Sequence, residues 1–446
     1  MDELRGAAAR RKRQGGPMYV YQRLFARSTW SLALCAALIL CCALTVTERS
    51  DAADCTTRIG AVLPASMEWG QPIVRSAQFA VDIYNDAGGV KGCPVELLIG
   101  DTEVNPEIGV DTAKYLVEVE NVPVLLGAVS SEVSLPVLQS VTAPANVMQM
   151  SCCSSSKAFT DIAQAGQTKG LWFRTFATTR NQAAVAAKLV QEQNYKSVGI
   201  FYKNDDWGQD IGQLVAADLE SLGVNVTASI AVNDGGSSYS SEVAEMLDSI
   251  PEALYLAVHP AEAIPLLKQW LSLGGTQKMV LAQVLRSDGF RDGIGLEFLS
   301  ESIGYDSALS GARSAGQFIN MYRGQYGKEP SEPGVTNSFD ATMISLLAME
   351  AAPEPTGVSI AASVSRVTDP AGVPIFPNVQ GLAEARRAFA EGKTVSYHGA
   401  NGAIVFDANG DVSAPAMAWS FTDTGSQQTA YYSTADVEEF IASLKK

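Results

Sequence analysis

The sequence predicts an α/β protein with two Rossmann-like lobes, each built on a parallel central sheet. Segments typical of buried strands alternate with amphipathic helical segments, which indicates parallel strands covered by helices. This alternation occurs twice, with a restart after Leu171–Thr175. A chain of 446 residues, of which 47% are hydrophobic and 18% are charged, is also long enough for two or three domains.

The first 52 residues have the residue order of a secretory signal peptide. Basic residues precede an apolar run of 16 residues, Ser31–Val46, and polar residues follow it. This run is shorter than the ~20 residues needed to span a bilayer, so we expect cleavage near Ala53. The alternatives are an uncleaved anchor and initiation at Met18.

The first lobe is predicted to begin with strand Ile59–Leu63. A helix follows in which Ile73, Ala77 and Tyr84 lie on one face, and it ends at Gly88. Apolar runs and amphipathic patterns then predict, in order, strand Pro94–Ile99, helix Glu107–Glu118, strand Val122–Leu126, a helix capped by Ser131, and strand Val147–Met150.

The second lobe repeats this pattern. Its predicted elements are helix Ala183–Gln191, strand Val198–Tyr202, helix Ile211–Leu222, strand Val224–Ala231, helix Ser241–Ile250, strand Leu254–Val258, helix Ala261–Leu273 and strand Met279–Val284. From Ser310 onward the predicted elements are helices Ala315–Tyr326, Asp340–Ala352 and Gly381–Ala390 and strands Gly402–Asp407 and Ala416–Phe421. With so few strands, this last stretch is expected to have no sheet of its own and to complete both lobes.

Composition and motifs argue against several functions. The net charge of −16 makes contact with nucleic acid or anionic lipid unfavourable. There are only two histidines, His259 and His398, and no His/Cys cluster, so we predict no metal site. Neither a Gly-x-Ser-x-Gly elbow nor a glycine-rich phosphate or dinucleotide loop occurs. We therefore predict no catalytic residues and no cofactor.

Five stretches resemble the periplasmic binding proteins for branched-chain amino acids that serve ABC importers. In chain order they are "IGAVLPASMEWGQPIVRSAQFAVDIYNDAGGVKGCPVELLIGDTEVNP", "VLLGAVSSEVSLPVLQSVTAPANVMQMSCCSSSKAFTD", "LWFRTFATT", "VGIFYKNDDWGQD" and "NGAIVFDANGDV". The resemblance implies a type I, Venus-flytrap fold with three crossover strands, near Arg174–Thr178, Gly304–Ser307 and Val412–Pro415. It implies an N-terminal lobe of residues 53–176 and 306–412 and a C-terminal lobe of residues 177–305 and 413–446.

Ligands of open parallel sheets bind beyond the carboxyl ends of the strands, where helix N-termini favour anions. Two hydroxyl-rich loops, after Val122–Leu126 and after Val147–Met150, are expected at that edge. By resemblance, Ser131 binds a ligand carboxylate, and Ser154 and Ser155 supply a carbonyl and a hydroxyl. The alternative is that these serines only cap helices.

Aromatic residues are expected to cover the ligand from both lobes. The resemblance assigns this role to Trp69 and Trp207, since aromatic rings give apolar contact at low entropic cost. His259, at a strand end, also faces the predicted cleft. The alternatives are core positions for the tryptophans and a solvated strand-end position for His259.

Gln283 is a departure from the family pattern. Amino-acid-binding members usually have a carboxylate there to pair with the ligand ammonium. A glutamine forfeits a charge-assisted contact of ~1.5–3 kcal/mol, or roughly one to two orders of magnitude in affinity for an amine. Either the ligand lacks an ammonium group, or another acid such as Asp288 or Asp340 serves.

Two pairs of cysteines remain in the mature chain. Cys55 and Cys93 are expected to form a disulfide, because the strands that follow them are neighbours in the fold that the resemblance implies and an oxidising compartment permits pairing. Cys152 and Cys153 are adjacent, and a vicinal disulfide is strained. Two separate thiols are the other interpretation.

These observations predict a monomeric periplasmic protein that captures a small amino acid, organic acid or amide and delivers it to ABC permease subunits. A sensory protein that reports a similar solute to a membrane receptor is the alternative. An enzyme on this fold is a third hypothesis.

Overall fold

The computed structural model describes residues 55–236, 238–308 and 313–444. The predicted signal peptide, residues 1–52, lies outside the described residues. The described chain contains two large sheets, and we call the parts built on them the first lobe and the second lobe. Parallel strands dominate both sheets, which confirms the predicted fold class.

The strands are numbered in chain order. They are β1 Thr57–Leu63, β2 Val95–Asp101, β3 Val124–Gly127, β4 Met148–Ser151, β5 Trp172–Arg174, β6 Ser197–Lys203, β7 Asn225–Val232, β8 Ala253–Ala257, β9 Met279–Leu281, β10 Ser302–Ser307, β11 Val373–Ile375, β12 Val395–Gly399, β13 Gly402–Ala403, β14 Ala416–Thr422 and β15 Gly425–Tyr432.

The α-helices of more than one turn are numbered likewise. They are α1 Gln71–Asp86, α2 Pro106–Lys114, α3 Ser131–Val137, α4 Lys157–Gln164, α5 Thr179–Glu192, α6 Asp206–Ser221, α7 Ser240–Ser249, α8 Pro260–Ser272, α9 Asp288–Ile294, α10 Arg313–Tyr326, α11 Val335–Ala351, α12 Gly357–Val367, α13 Val379–Ala390 and α14 Thr434–Leu444. Wider π turns follow α2 (Tyr115–Val119) and α3 (Leu138–Thr142), the latter leading into the short helix Ala143–Ala145, and 3₁₀ turns span Gln283–Leu285 and Leu296–Phe298.

The first lobe has a five-stranded parallel sheet in the order β2-β1-β3-β4-β5. Apolar residues of β1, β3 and β4 share one core with the late helices α10 to α13. The long helix α11 is buried almost all round and packs against α1. The chain therefore returns to the first lobe after building most of the second.

The second lobe has a seven-stranded sheet in the order β15-β14-β10-β9-β8-β6-β7. Strands β10, β9, β8, β6 and β7 are parallel, whereas β14 pairs antiparallel with β10 and forms a hairpin with β15. The chain passes between the two sheets after β5, after β10 and before β14. At the first and third of these passages, Ala177 and Val412 form a parallel bridge.

The segment after α12 differs from the prediction. Strands β11, β12 and β13 form a three-stranded sheet of their own, so the expectation that this stretch has no sheet was wrong. The helix α12 was not predicted, and the predicted strand Gly402–Asp407 is a strand only at Gly402–Ala403, with one isolated bridge from Phe406 to Val412. Two- and three-residue strands have no readable alternation, and their pairing comes from contacts distant in sequence.

The predicted disulfide is confirmed. Strands β1 and β2 are adjacent and parallel, with Thr57 opposite Val95, and this register brings the Cα atoms of Cys55 and Cys93 to 5.4 Å. The disulfide joins residues 38 positions apart. Among the described residues, no helix has the length and apolar character needed to cross a membrane.

We expect that replacing Cys55 and Cys93 together by serine lowers the free energy of unfolding by about 4 kcal/mol, because a loop of this length is constrained in the unfolded chain. Urea unfolding of the oxidised protein and the variant measures the difference. Replacing Cys152 and Cys153 by serine is the control, and an equal loss in that variant would contradict the assignment.

Candidate ligand-binding site

The hydroxyl of Ser131 joins two loops at the carboxyl end of the first sheet. Its Oγ accepts hydrogen bonds from the backbone N–H groups of Ser155 and Ser156, both at 3.2 Å. Ser130, not Ser131, is the N-cap residue of α3, so the predicted cap was misplaced by one position. Position 131 lies inside the first turn, which turns its hydroxyl toward the neighbouring loop.

Ser154 and Ser155 follow β4 but differ in their surroundings. The Oγ of Ser154 lies 2.7 Å from the Oγ of Ser134 and is within hydrogen-bond distance of two carbonyls of the β3–α3 loop. The Ser154 hydroxyl therefore connects the loop after β4 to the β3–α3 loop. The Ser155 carbonyl accepts from Thr179 N–H at 2.8 Å, and its hydroxyl has no hydrogen-bond partner among the described residues.

Three aromatic side chains meet across the boundary between the lobes. The His259 ring lies 5.7 Å from the Trp207 ring, nearly stacked, and 6.3 Å from the ring of Trp69. Trp207 is 6% exposed and Trp69 is 41% exposed. We call Trp69, Trp207 and His259 the aromatic trio.

Local sequence features position the aromatic trio. A Cβ at position 70 would lie 2.0 Å from the carbonyl oxygen of Pro64, so only glycine lets the turn that carries Trp69 close. Asp205 caps α6 by accepting from Gly208 N–H, which places Trp207 in the first turn. His259 is the N-cap residue of α8 at the end of β8.

Burial and the neighbouring ammonium group of Lys203 lower the pKa of His259 to about 4. Its imidazole is therefore neutral at pH 7. A neutral ring carries one donor and one acceptor nitrogen, so it can bind a polar solute group without adding charge.

A cluster of charges beside the trio connects the lobes. The Lys203 side chain, 4% exposed, lies 3.1 Å from Asp205 and 3.2 Å from both Asp234 and Glu132, and Glu132 belongs to the first lobe. Burial alone would lower the pKa of Lys203, but the carboxylates that surround its ammonium group raise this pKa. Lys203 thus remains charged and holds an acid of the opposite lobe.

A second polar contact connects the lobes at the start of α4. The Asp210 carboxylate, from α6 of the second lobe, accepts from the Ser156 hydroxyl at 2.5 Å and from Lys157 N–H at 2.6 Å. Unpaired N–H groups and the helix dipole favour an anion at this position. A carboxylate of the protein therefore occupies the anion-friendly end of α4.

Gln283 is buried on the second lobe. It follows β9 and lines a cavity beside the passages between the lobes, with Gln182, Tyr305 and Asp306. The Gln283 Oε1 is buried without a hydrogen-bond partner among the described residues. No hydrogen bond joins Gln283 to Ser131, Ser154 or Ser155.

The two acids offered as alternatives to Gln283 are occupied elsewhere. Asp340 accepts from the Tyr397 hydroxyl, from Ala400 N–H, and from the backbone and side-chain amides of Asn401. Asp288 is exposed and pairs with Arg291 of the same helix. Neither carboxylate is free to pair with a ligand ammonium.

Sequence reasoning missed Arg286, three residues after Gln283. Its Nε lies 2.8 Å from an oxygen of the buried Asp306, and its side chain is 14% exposed. Burial raises the pKa of Asp306, and the guanidinium group opposes that rise. The sequence signal that could have identified this residue is the position of an arginine just after the end of a strand.

Cys152 and Cys153 carry separate thiols, which favours the second interpretation of this pair. Burial and the neighbouring Cys152 thiol raise the pKa of Cys153. Within the described ranges, no group of three or more histidine, cysteine or acidic side chains could hold a metal ion.

Comparisons with known proteins agree with this geometry. A family model for periplasmic binding proteins matches residues 56–410. The chain is 24% identical over 335 residues to the chemotactic signal transduction system substrate-binding protein BasB of Halobacterium salinarum, covering 74% of this chain and 77% of BasB. It is 28% identical over 254 residues to Leu/Ile/Val-binding protein homolog 2 of Brucella abortus, covering 56% of this chain and 64% of that protein.

Solved structures show the same fold. The leucine-binding protein LivK of Thermotoga maritima superposes with a TM-score of 0.72 at 19% identity, covering 85% of this chain and 99% of that one. LivJ of Streptococcus pneumoniae, solved with isoleucine, gives a TM-score of 0.70 at 18% identity over 85% of this chain and 99% of that one. The predicted resemblance to branched-chain amino-acid-binding proteins is confirmed.

We expect that Asp210→Asn shifts the protein toward an open form, because the carboxylate connects the two lobes. Losing charge-assisted hydrogen bonds worth ~1.5–3 kcal/mol lowers the ratio of closed to open protein roughly 10- to 100-fold. Small-angle scattering measures this as a larger radius of gyration. Asp161→Asn, which removes a carboxylate of α4 that bonds only Lys157 of the same helix, is the control. An unchanged radius in the Asp210 variant would contradict the expectation.

Proposed function

Because this chain belongs to the periplasmic binding protein family, we propose that it is the extracytoplasmic solute-binding protein of an ABC importer. It captures a small solute that bears a carboxylate or an amide by closing its two lobes. One observation carries the proposal: the aromatic trio contains Trp69 from the first lobe and Trp207 and His259 from the second. Rings contributed by both lobes enclose a solute only when the lobes close.

The relatives support a small solute of this class. Several are named Leu/Ile/Val-binding protein homologs, and the LivJ structure contains isoleucine. A solute-binding protein of Rhodopseudomonas palustris solved with benzoate also shares the fold, with a TM-score of 0.66 at 15% identity, over 85% of this chain and 97% of that one. Amino acids and aromatic acids are therefore both candidate solutes, and the periplasm is the proposed location.

We assign the solute to the cleft between the lobes. The proposed contacts on the first lobe are Ser131, Ser154 and Ser155, with the backbone of Ser154 and the hydroxyl of Ser155 nearest the solute. On the second lobe they are Trp207, His259 and Gln283. Trp69 covers the opening, because it is the most exposed member of the trio. The partners are the solute and the permease subunits, and the protein acts as a monomer.

We expect that Trp207→Ala weakens solute binding at least tenfold, because a buried aromatic contact at the centre of a site is lost. Isothermal titration calorimetry with the solute retained by the purified protein measures the change. Tyr115→Ala, at an exposed aromatic residue distant from the cleft, should leave the affinity unchanged. Equal affinities for the wild type and the Trp207 variant would contradict the proposed site.

We also expect a bound solute to stabilise the protein and compact it. A ligand at 100 times its dissociation constant adds about 2.7 kcal/mol to the free energy of unfolding. Native mass spectrometry identifies the retained solute, and scattering before and after its removal measures compaction. A protein that retains nothing, gains no thermal stability from amino acids, aromatic acids, amides or ureas, and keeps one radius would refute the proposal.

A sensory role is the second candidate, and the similarity to BasB, a chemotactic signal transduction protein, favours it. The two roles share a site and differ in the membrane partner. Deleting the chain from its host separates them. Loss of uptake of the labelled solute indicates an importer, whereas normal uptake with a lost behavioural response indicates a sensor.

A further inference from the structure

A second cavity lies between the lobes beyond the Cys152–Cys153 loop. It has about 720 Å³ of unfilled space, including its open mouth. The first lobe contributes Gly334 and Asn337, and the second contributes Arg286 and Met417. A Cβ at Gly334 would lie 2.8 Å from the Cys153 Sγ, so the loop that carries the proposed serines borders this cavity.

Arg286 is the cation on the wall of this cavity. Its Nε lies 2.8 Å from a carboxylate oxygen of Asp306 in an ion pair, although the N–H is not aligned for a hydrogen bond, and neither Nη group has a hydrogen-bond partner among the described residues or is sealed from solvent. An arginine paired on its Nε side presents its two Nη groups as a planar fork, which matches the two oxygens of a carboxylate.

The other groups that favour an anion near the cleft are already satisfied. The N–H groups of Ser155 and Ser156 donate to Ser131, and Asp210 occupies the first turn of α4. Lys203 is surrounded by three carboxylates. Among the described residues that line the cavity, Arg286 is the one cation, and the buried hydroxyl of Ser307 is a further donor without a partner.

The acids on the cavity wall each have a cation already. Asp306 pairs with Arg286, Glu329 with Arg323 and Glu332 with Lys328. The second carboxylate oxygen of Glu332 has no partner but is sealed from solvent, so a solute in the cavity does not reach it. A solute ammonium would therefore be buried without a counter-charge, which is costly.

We propose that Arg286 binds the carboxylate of the solute, and that the solute is a small organic acid with an apolar or aromatic body rather than an amino acid. Arg286 follows β9, and His259 follows the adjacent strand β8 at the same edge of the sheet. Arg286 and His259 therefore lie at one edge of the sheet, and the proposed solute extends from Arg286 toward the aromatic trio. This inference rests on the proposed function and specifies its solute class and its anchor.

Two matched sets of probes test the solute class by calorimetry: 4-methylpentanoate, its amide and leucine, and benzoate, benzamide and phenylglycine. We expect the acid to bind at least tenfold more tightly than its amide and its amino-acid counterpart in one or both sets. Tighter binding of leucine or of an amide, or no binding of either acid, overturns the inference.

Substitutions test the anchor. We expect Arg286→Gln to weaken binding of the acid 10- to 100-fold and to abolish the preference for acid over amide. Arg286→Lys keeps the charge beside Asp306 but loses the fork, so it should reduce the preference at least tenfold even if the glutamine variant does not fold. Arg291→Gln, at an arginine on the next helix that pairs with Asp288 and Asp292, should change neither quantity.

Ser155→Ala tests which of the two lobes binds the carboxylate of the solute. We expect it to weaken the acid and the amide alike and to leave their ratio unchanged. Loss of the preference in the Ser155 variant, with retention in the Arg286 variants, would place the carboxylate on the first lobe and overturn the inference. Retention of an amino acid by the purified protein would also overturn the inference, but it would leave the proposed function standing. A protein that binds and retains no solute would instead contradict the proposed function.

Discussion

The structure depends on one constraint at the boundary between the lobes: the charged groups buried there need partners from the opposite lobe. In separated lobes the same groups would be solvated. Lys203 is almost fully buried, and one of its three carboxylate neighbours, Glu132, comes from the opposite lobe. Asp210 likewise finds donors at Ser156 and Lys157. Burying such groups is tolerable only when they are paired, so these contacts fix how the two sheets face each other. The aromatic trio and the cavity beside Arg286 take their positions from that arrangement.

The electrostatic design of the cleft follows from the same constraint. The chain carries a net charge of −16, yet at the cleft nearly every acid is matched by a cation or by hydrogen-bond donors. The neutral imidazole of His259 adds no charge beside Lys203. What remains for a solute is a set of aromatic faces, a few hydroxyl and amide groups, and the open side of one guanidinium group.

The elements of the fold that follow a repeated pattern were predictable from the sequence. So were the features that require two strands to be neighbours in a sheet. Alternating strand and helix segments gave both parallel sheets, and the adjacency of β1 and β2 accounts for Cys55 and Cys93. Trp69 and Trp207 were assigned by the family resemblance and His259 by its position at a strand end, and both indole rings lie within 6.3 Å of the His259 ring. Asp210 and Arg286 were not found, because a charged residue on a helix or after a strand reads as solvated until the opposing lobe is in place. The sheet β11–β13 escaped for a related reason, since strands of two to five residues carry little pattern.

The contact between Asp210 and the first turn of α4 has a thermodynamic consequence. The contact is made by protein groups of both lobes, so in this arrangement the chain itself covers part of the boundary. Under the proposed function, the apolar area that a solute covers is then limited to the cavity walls and the solute itself, which gives only a modest negative heat-capacity change on binding. A solute would enter while the carboxylate is away from the helix, so the association rate would follow the frequency of that event.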